Sequence, residues 1–173
     1  TTLHCSSAAS DVYKRQSDVR SVGSKTSKGS ESTGVIPFVK VVDAEMLAFS
    51  QGVTRRGSYA GYLHISHPEI EEFLDVRKPT GGDTNRKCLN LHHGVVISDT
   101  FMELIHNAGK IDNFDDSWNL IDPHSQEVVR TVSARALWVK ILQNRMETGE
   151  PYVMYENAVQ DGLPSFQKRK GLK

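Results

Sequence analysis

Two adjacent arginines, Arg55 and Arg56, lie in a short glycine-bounded segment with the sequence SQGVTRRGS at residues 50–58. Arginine presents a planar fork of donors that suits a phosphate or a base edge, and Gln51 offers both a donor and an acceptor. A glycine such as Gly52 lets the backbone approach a ligand closely. The segment is therefore a candidate nucleotide-binding loop, with a plain surface turn as the alternative.

A second basic segment runs from Arg20 to Gly34 and combines glycines and serines with Lys25 and Lys28. Glycines expose backbone amides, while hydroxyls and cations complete the hydrogen bonds to an anion. This composition fits a nucleotide phosphate, and it equally fits a flexible basic linker. A third loop at 78–87, built on PTGGDTN, has similar chemistry with more turn formers. It is not a Walker motif, because no helix follows at the required place.

Residue types that perform covalent or metal chemistry are present without a convincing arrangement. His64 with His67, and His92 with His93, are the closest approaches to a metal-ligand pair. On a strand, His92 and His93 point to opposite faces, so we expect one packed and one hydrogen-bonded ring rather than a shared ion. Cys88 has no neighbouring cysteine and no evident histidine base. We therefore predict neither a catalytic residue nor a metal site in this chain.

The elements that must position these loops alternate between helices and strands. The spacing of apolar residues and the positions of glycine and proline predict helices at 37–49, 101–108 and 132–147 and a short helix after Pro68. They predict strands at 59–65, 89–97, 118–121 and 152–155. Thr100 and Glu103 form a candidate capping box. Glu69, Glu71 and Glu72 are expected on the solvated face of the short helix. The alternation favours an α/β fold with parallel crossover units.

Bulk properties narrow the class of protein further. A chain of 173 residues can bury a sizeable core, and its 21 basic and 21 acidic residues give no net charge that would attract nucleic acid or a membrane surface. Cys5 and Cys88 are too few for a disulfide framework, which fits a reducing compartment. The sequence has no apolar run of about 18 residues and no signal-peptide pattern, so we expect a cytoplasmic location.

The two ends of the chain differ from the rest. Residues 1–16, TTLHCSSAASDVYKRQ, show no helical or strand periodicity and resemble an in-frame translation of a sequencing adapter. A native flexible terminus is the alternative. Residues 164–173 are basic and carry no packing or stop signal. We therefore expect an incomplete chain, with a non-native or disordered segment at 1–16 and a partial domain at 17–173.

Four stretches of the chain resemble the large, catalytic (alpha) subunit of ribonucleotide reductases. They are SDVRSVGSKTSKG, GVIPFVKVVDAEM, SQGVTRRGSYAGYLHISHPEIEEFLDVRKPTGGDTNRKCLNLHHGVVISDTFMELI and WVKILQNRMETGEPYVMYENAV. The resemblance covers roughly residues 17–173, and the third stretch is the most specific because its motifs follow one another in the family's order. It implies an α/β fold, a fragment of the ten-stranded α/β barrel of a class I-like enzyme.

The resemblance also implies roles for both basic loops. The family's first specificity loop falls on 24–34, where it holds a deoxynucleotide or ATP effector. Arg20 matches an arginine at the effector phosphates, and Lys28 lies near a second basic position of this kind. The second specificity loop falls on 50–58 and includes Gly52 and Arg55. In that loop, Gln51 and Arg56 match the residues that relay the identity of the effector to the substrate base.

The family's reaction centre falls outside this chain. A thiyl radical abstracts the ribose 3′ hydrogen in this family, and a cysteine pair supplies the reducing equivalents. The first redox cysteine lies upstream of the effector loop, where this chain has its unusual first segment, and Cys5 is not its counterpart. The radical cysteine lies downstream of Lys173. We therefore expect no catalytic residue here and no activity from this chain alone.

The implied whole protein is a ribonucleoside-diphosphate reductase that makes deoxyribonucleotides for DNA synthesis. Its implied partners are the ribonucleotide substrate, ATP or dNTP effectors, a thioredoxin or glutaredoxin-type reductant, a second large subunit in a homodimer, and a separate metal-containing small subunit that supplies the radical. In the alternative, class II, adenosylcobalamin replaces the small subunit. The NRKCLNLHHGV stretch and the linker after Glu156 favour the first assignment. A non-catalytic nucleotide-binding module remains a third hypothesis.

Overall fold

A central sheet of four parallel strands forms the core of the computed structural model, which describes residues 12–48, 50–51 and 55–165. The strands lie in the order β1, β4, β5 and β8, so each later strand is added at the same edge. Their bounds are β1 Val12–Arg15, β4 Tyr59–His64, β5 His92–Ile97 and β8 Tyr152–Tyr155. This order and the connecting helices confirm the predicted parallel α/β crossovers.

Helices connect the parallel strands, and two antiparallel hairpins extend from the sheet. The helices are α1 Ile36–Ala48, α2 Ile70–Leu74, α3 Asp99–Ala108, α4 Ala134–Thr148 and α5 Glu156–Gly162, with a 3₁₀ turn at Thr84–Arg86. The first hairpin joins β2 Ser50–Gln51 to β3 Arg55–Arg56, and the second joins β6 Ser117–Ile121 to β7 Val128–Ser133.

The hydrophobic core lies between the sheet and its helices. Leu63 and Val95 on the central strands are fully buried, as are Phe73 on α2, Phe101 on α3 and Ile141 on α4. Ile70 and Leu74 of α2 are buried with Phe73. Burial of large apolar side chains from both layers is the main favourable contribution to folding in such a structure.

Side chains at the ends of elements set their limits. Ser98, whose backbone is extended, accepts a hydrogen bond from the Phe101 amide and caps α3. The predicted capping box starting at Thr100 is therefore wrong, because the helix already begins at Asp99. Strand β5 begins at His92 rather than Leu89, because the Asn90 and Leu91 amides donate to the Asp43 carboxylate instead of to a neighbouring strand.

Besides the two-residue strands β2 and β3, two longer strands were not expected from the sequence. Val12–Arg15 forms the edge strand β1 and pairs with β4, although residues 1–16 show no strand periodicity. Val128–Ser133 forms β7 and shortens the predicted helix, so that α4 begins at Ala134 with Ser133 as its cap. The valines of β7 are exposed at its start, which removes the alternation that marks a half-buried strand.

Candidate functional site

Loops from three parts of the chain meet at the carboxyl end of the parallel sheet, where ligands of open α/β sheets commonly bind. The β6–β7 hairpin is fixed there because the Ile121 amide donates to the Ser66 carbonyl at 2.8 Å. Trp118 Nε1 also donates to the Ile65 carbonyl at 3.3 Å. The loop that leaves β1 packs against the turn of this hairpin, and the two together form the candidate site.

The loop at 20–34 is an ordered hairpin, which argues against the flexible-linker alternative. The Gly23 amide donates to the Ser32 carbonyl at 2.9 Å, and the Ser32 amide donates to the Ser24 carbonyl at 2.9 Å. Lys25 and Glu31 oppose each other in an isolated antiparallel bridge. Lys28 is exposed near the tip of this hairpin.

A buried carboxylate, Asp122, holds the base of the loop. One of its oxygens, Oδ2, accepts hydrogen bonds from the Ser21 amide at 3.0 Å, Ser21 Oγ at 2.5 Å and Ser24 Oγ at 2.6 Å. The other, Oδ1, accepts from the amides of His124 and Ser125. Burial by itself would raise the pKa of Asp122, but the hydrogen bonds from Ser21 and Ser24 outweigh it and hold the pKa well below its usual value. Asp122 is therefore ionised at neutral pH.

Arg20 joins the loop to the same turn. Its Nη1 donates to the Lys25 carbonyl at 3.2 Å, and its Nη2 lies 2.9 Å from His124 Nε2. Because a guanidinium has only donors, His124 Nε2 must be the acceptor. Arg20, Lys25 and His124 line a surface pocket of about 530 Å³ between the loop and the turn. This pocket offers cationic and hydroxyl groups of the kind that bind an anion, together with the carboxylates of Asp122 and Glu127.

The second predicted loop lies at the other end of α1. The hairpin at 50–56 places Ser50 opposite Arg56 and Gln51 opposite Arg55 in its backbone register. Gly52 lies outside the described residues. Helix α1 has 13 residues and separates the two loops by about 20 Å along its axis.

Glu69 fastens the junction between the first loop and α1. Its Oε2 accepts from the Val35 amide at 2.9 Å, and Oε1 lies 3.3 Å from Arg86 Nη2. Burial raises the pKa of Glu69, and the Val35 and Arg86 contacts oppose this only partly. The expected solvated position of Glu69 is wrong, because the side chain is 4% exposed beneath Gly34.

The third loop has its cations engaged with protein groups. Arg86 pairs with Glu72, and Lys87 Nζ donates to the Asp75 carbonyl at 2.9 Å. Lys78 lies within 3.0 Å of Glu147. These pairings explain the basic residues of the loop without a ligand.

The paired histidines contact one carboxylate at the opposite, amino end of the sheet. His92 Nδ1 and His93 Nδ1 lie 2.5 and 2.9 Å from the two oxygens of Glu150, and Arg77 Nη1 donates to it at 2.9 Å. Burial opposes ionisation of Glu150, but the bonds from His93 and His92 lower its pKa to about 2. His93 is buried and His92 is partly exposed. The expectation that only one of the two rings is hydrogen-bonded is wrong, because both rings contact Glu150. This cluster is structural.

The remaining candidates for chemistry are also engaged or inaccessible. His67 contacts the Val19 carbonyl through Nε2 and accepts from the Glu69 amide through Nδ1, while His64 lies 3.4 Å from Glu156. Cys88 is fully buried, and burial raises its pKa to about 12. Within the described ranges, no group of three or more His, Cys, Asp or Glu side chains is arranged to hold a metal ion.

Comparison with known proteins identifies the class of this barrel segment. Residues 3–168 match the family model described as ribonucleotide reductase, barrel domain, and the chain belongs to that family. The fold is similar to the Actinobacillus ureae class Id ribonucleotide reductase alpha subunit, with a TM-score of 0.64 and 26% identity over 92% of this chain and 24% of that one. These findings confirm the predicted family, the fold class and the class I-like assignment.

Two proteins with high sequence identity to this chain come from viruses. The chain is 51% identical over 151 residues to the ribonucleoside-diphosphate reductase large subunit of Invertebrate iridescent virus 6, covering 87% of this chain and 15% of that protein. It is 52% identical over 143 residues to the putative large subunit of Frog virus 3, covering 83% of this chain and 24% of that protein. The chain thus spans less than a quarter of these relatives. Among the described helices, none is long and apolar enough to cross a membrane.

Proposed function

We propose that this chain is the effector-recognition segment of a ribonucleoside-diphosphate reductase large subunit, which reduces ribonucleotides to deoxyribonucleotides for DNA synthesis. The identity of 51% over 87% of the chain to a protein of that name supports the activity. The observation that carries the recognition role is the ordered loop at 20–34, which is fastened beside a pocket lined by Arg20 and Lys25.

Each residue that the resemblance singles out has a role in this proposal. Arg20 and Lys28 bind the effector phosphates, for which guanidinium and ammonium groups are suited. Gln51, Gly52, Arg55 and Arg56 form the loop that adjusts to the bound effector and admits the matching substrate base. A coupling of about 1–3 kcal/mol between the two sites is typical for such regulation.

The partners follow from the same assignment. The class Id alpha subunit among the similar structures favours a separate radical-generating small subunit over adenosylcobalamin. We also propose a large-subunit homodimer, a thioredoxin or glutaredoxin-type reductant and a cytoplasmic location. We propose a partial barrel domain at 17–173, to which the paired strand β1 at Val12–Arg15 is added. Sequencing the genomic locus tests whether the codons for residues 1–16 are native.

The test is reconstitution of the full-length large subunit, with a purified small subunit and a dithiol reductant. Product deoxyribonucleotides are measured with and without ATP or dNTP. We expect turnover that needs the small subunit and responds to effectors, and none from the 173-residue chain alone. Turnover that needs adenosylcobalamin instead selects the class II alternative. A full-length chain that binds nucleotides but never reduces them selects the non-catalytic module.

A further inference from the structure

We propose that Asp122 is a positioning residue for the effector response, because it fixes the base of the loop at 20–34 in the conformation that receives the effector. This inference rests on the proposed effector role of the loop. Asp122 is distant in sequence, and its contact with Ser24 spans 98 positions. It belongs to none of the three loops that the sequence singles out.

The geometry allows the carboxylate little freedom. Three donors from Ser21 and Ser24 converge on Oδ2, while two backbone amides of its own turn, from His124 and Ser125, hold Oδ1. The preceding residue, Ile121, donates through its amide to the Ser66 carbonyl in the turn that follows β4. The loop base is therefore connected through the β6–β7 hairpin to the turn at the carboxyl end of the central sheet.

The same turn also orients Arg20. His124, two residues after Asp122, accepts from the Arg20 guanidinium at 2.9 Å. Asp122 holds the backbone on which His124 lies, since it accepts from the His124 amide at 2.9 Å. Loss of the carboxylate charge would therefore loosen both the serine-rich base of the loop and His124, which aligns Arg20.

The expected consequence is weaker effector binding rather than slower chemistry. A ligand whose binding-competent loop conformation is only partly populated binds with an apparent affinity reduced by that fraction. Hydrogen bonds to a charged acceptor are among the stronger ones in proteins. Asparagine retains the shape of Asp122, but its amide group presents donors toward groups that are themselves donors.

The experiment uses the full-length large subunit with its small subunit and compares wild type with Asp122→Asn. We expect the dNTP concentration for half-maximal stimulation to rise roughly tenfold or more, a larger change than any fall in kcat at saturating dNTP. Asp116→Asn is the matched control, because Asp116 accepts from Ser133 Oγ and the Arg135 amide at the far end of the same hairpin. Its half-saturating concentration should stay within about twofold of wild type.

Two further readouts separate positioning from general damage. Hydrogen exchange should speed up at the Gly23 and Ser32 amides in Asp122→Asn and stay unchanged in Asp116→Asn. If Asp122→Asn does not fold, Ser24→Ala removes one of the three donors and should shift half-saturation in the same direction. If the dNTP concentration for half-maximal stimulation is unchanged in folded Asp122→Asn, the inference is wrong while the proposed function stands. The same holds for an unchanged value in Ser24→Ala when Asp122→Asn does not fold. A wild-type enzyme insensitive to every effector overturns the proposed function, and the inference with it.

Discussion

The backbone amide of Val35 donates a hydrogen bond of 2.9 Å to the buried carboxylate of Glu69. This contact closes the first loop at the point where it enters α1. A carboxylate near a helix N-terminus also interacts favourably with the helix dipole. Because Glu69 contacts Arg86 as well, the junction of loop and helix is tied to the 3₁₀ turn at Thr84–Arg86.

Gly34, which precedes this junction, should be more sensitive to an added side chain than other glycines of the loop. Its φ is +83°, and an added Cβ would overlap the Glu69 carboxylate. Gly23 has a similar φ of +80° with nothing within 4 Å of an added Cβ, so Gly23→Ala isolates the backbone cost. We expect Gly23→Ala to lower the free energy of unfolding by about 1 kcal/mol and Gly34→Ala by clearly more. Equal losses in chemical unfolding of the two variants would show that Glu69 moves aside freely.

Local patterns were sufficient to predict much of the fold. The helical spacing before Ala48, the apolar runs of β4 and β8, and the glycine that ends α4 each depend on neighbours in sequence. Gly149 ends α4 in the left-handed conformation, with φ 78°, just after the predicted helix end at 147. These features follow from periodicity and backbone preference, which operate over a few residues.

The contacts that organise the candidate site could not be predicted in this way. Asp122 and Glu69 look like ordinary surface carboxylates, and their donors lie far away in sequence, as the 34 positions between Glu69 and Val35 illustrate. An aspartate directly after a strand and before Pro123 is a turn signal, but it does not reveal which loop the turn supports. Only the folded chain brings these donors and acceptors together.

Glu150 should make stability depend on pH in the acid range. Its folded-state pKa of about 2 lies below the usual 4.5, so the ionised form stabilises the fold above about pH 4.5 and this contribution is lost as pH falls toward 2. Glu150→Gln should therefore reduce the free energy of unfolding near neutral pH by an amount on the order of 3 kcal/mol. The difference from wild type should narrow as the pH is lowered.

A matched control for that measurement is Glu147→Gln, since Glu147 is an exposed partner of Lys78. An exposed ion pair contributes little to stability, so this variant should unfold almost like wild type. Urea unfolding at several pH values gives the comparison. A Glu150→Gln deficit that stays constant down to about pH 2 would contradict the linkage.

Cys88 should be chemically inert in the folded protein. It is fully buried with a pKa raised to about 12, so neither access nor the thiolate that alkylating reagents need is available. Peptide mass spectrometry after iodoacetamide treatment should show Cys88 unmodified in the native protein and modified in denaturant. Equal labelling of Cys88 in the native protein and in denaturant would contradict the buried position of this side chain.

The most direct measurement of the central claim is substrate selectivity in the full-length enzyme carrying Arg56→Ala. The ribonucleoside diphosphates compete in one mixture, each effector is added in turn, and the ratios of products are measured. Arg130→Ala, which removes an exposed arginine paired with Glu71, serves as the control. We predict that the product ratios change with effector in wild type and in the control. In Arg56→Ala the product ratios should become nearly the same for every effector, and turnover of the best substrate should fall less than this selectivity does. Unchanged selectivity across all effectors in Arg56→Ala would contradict the account.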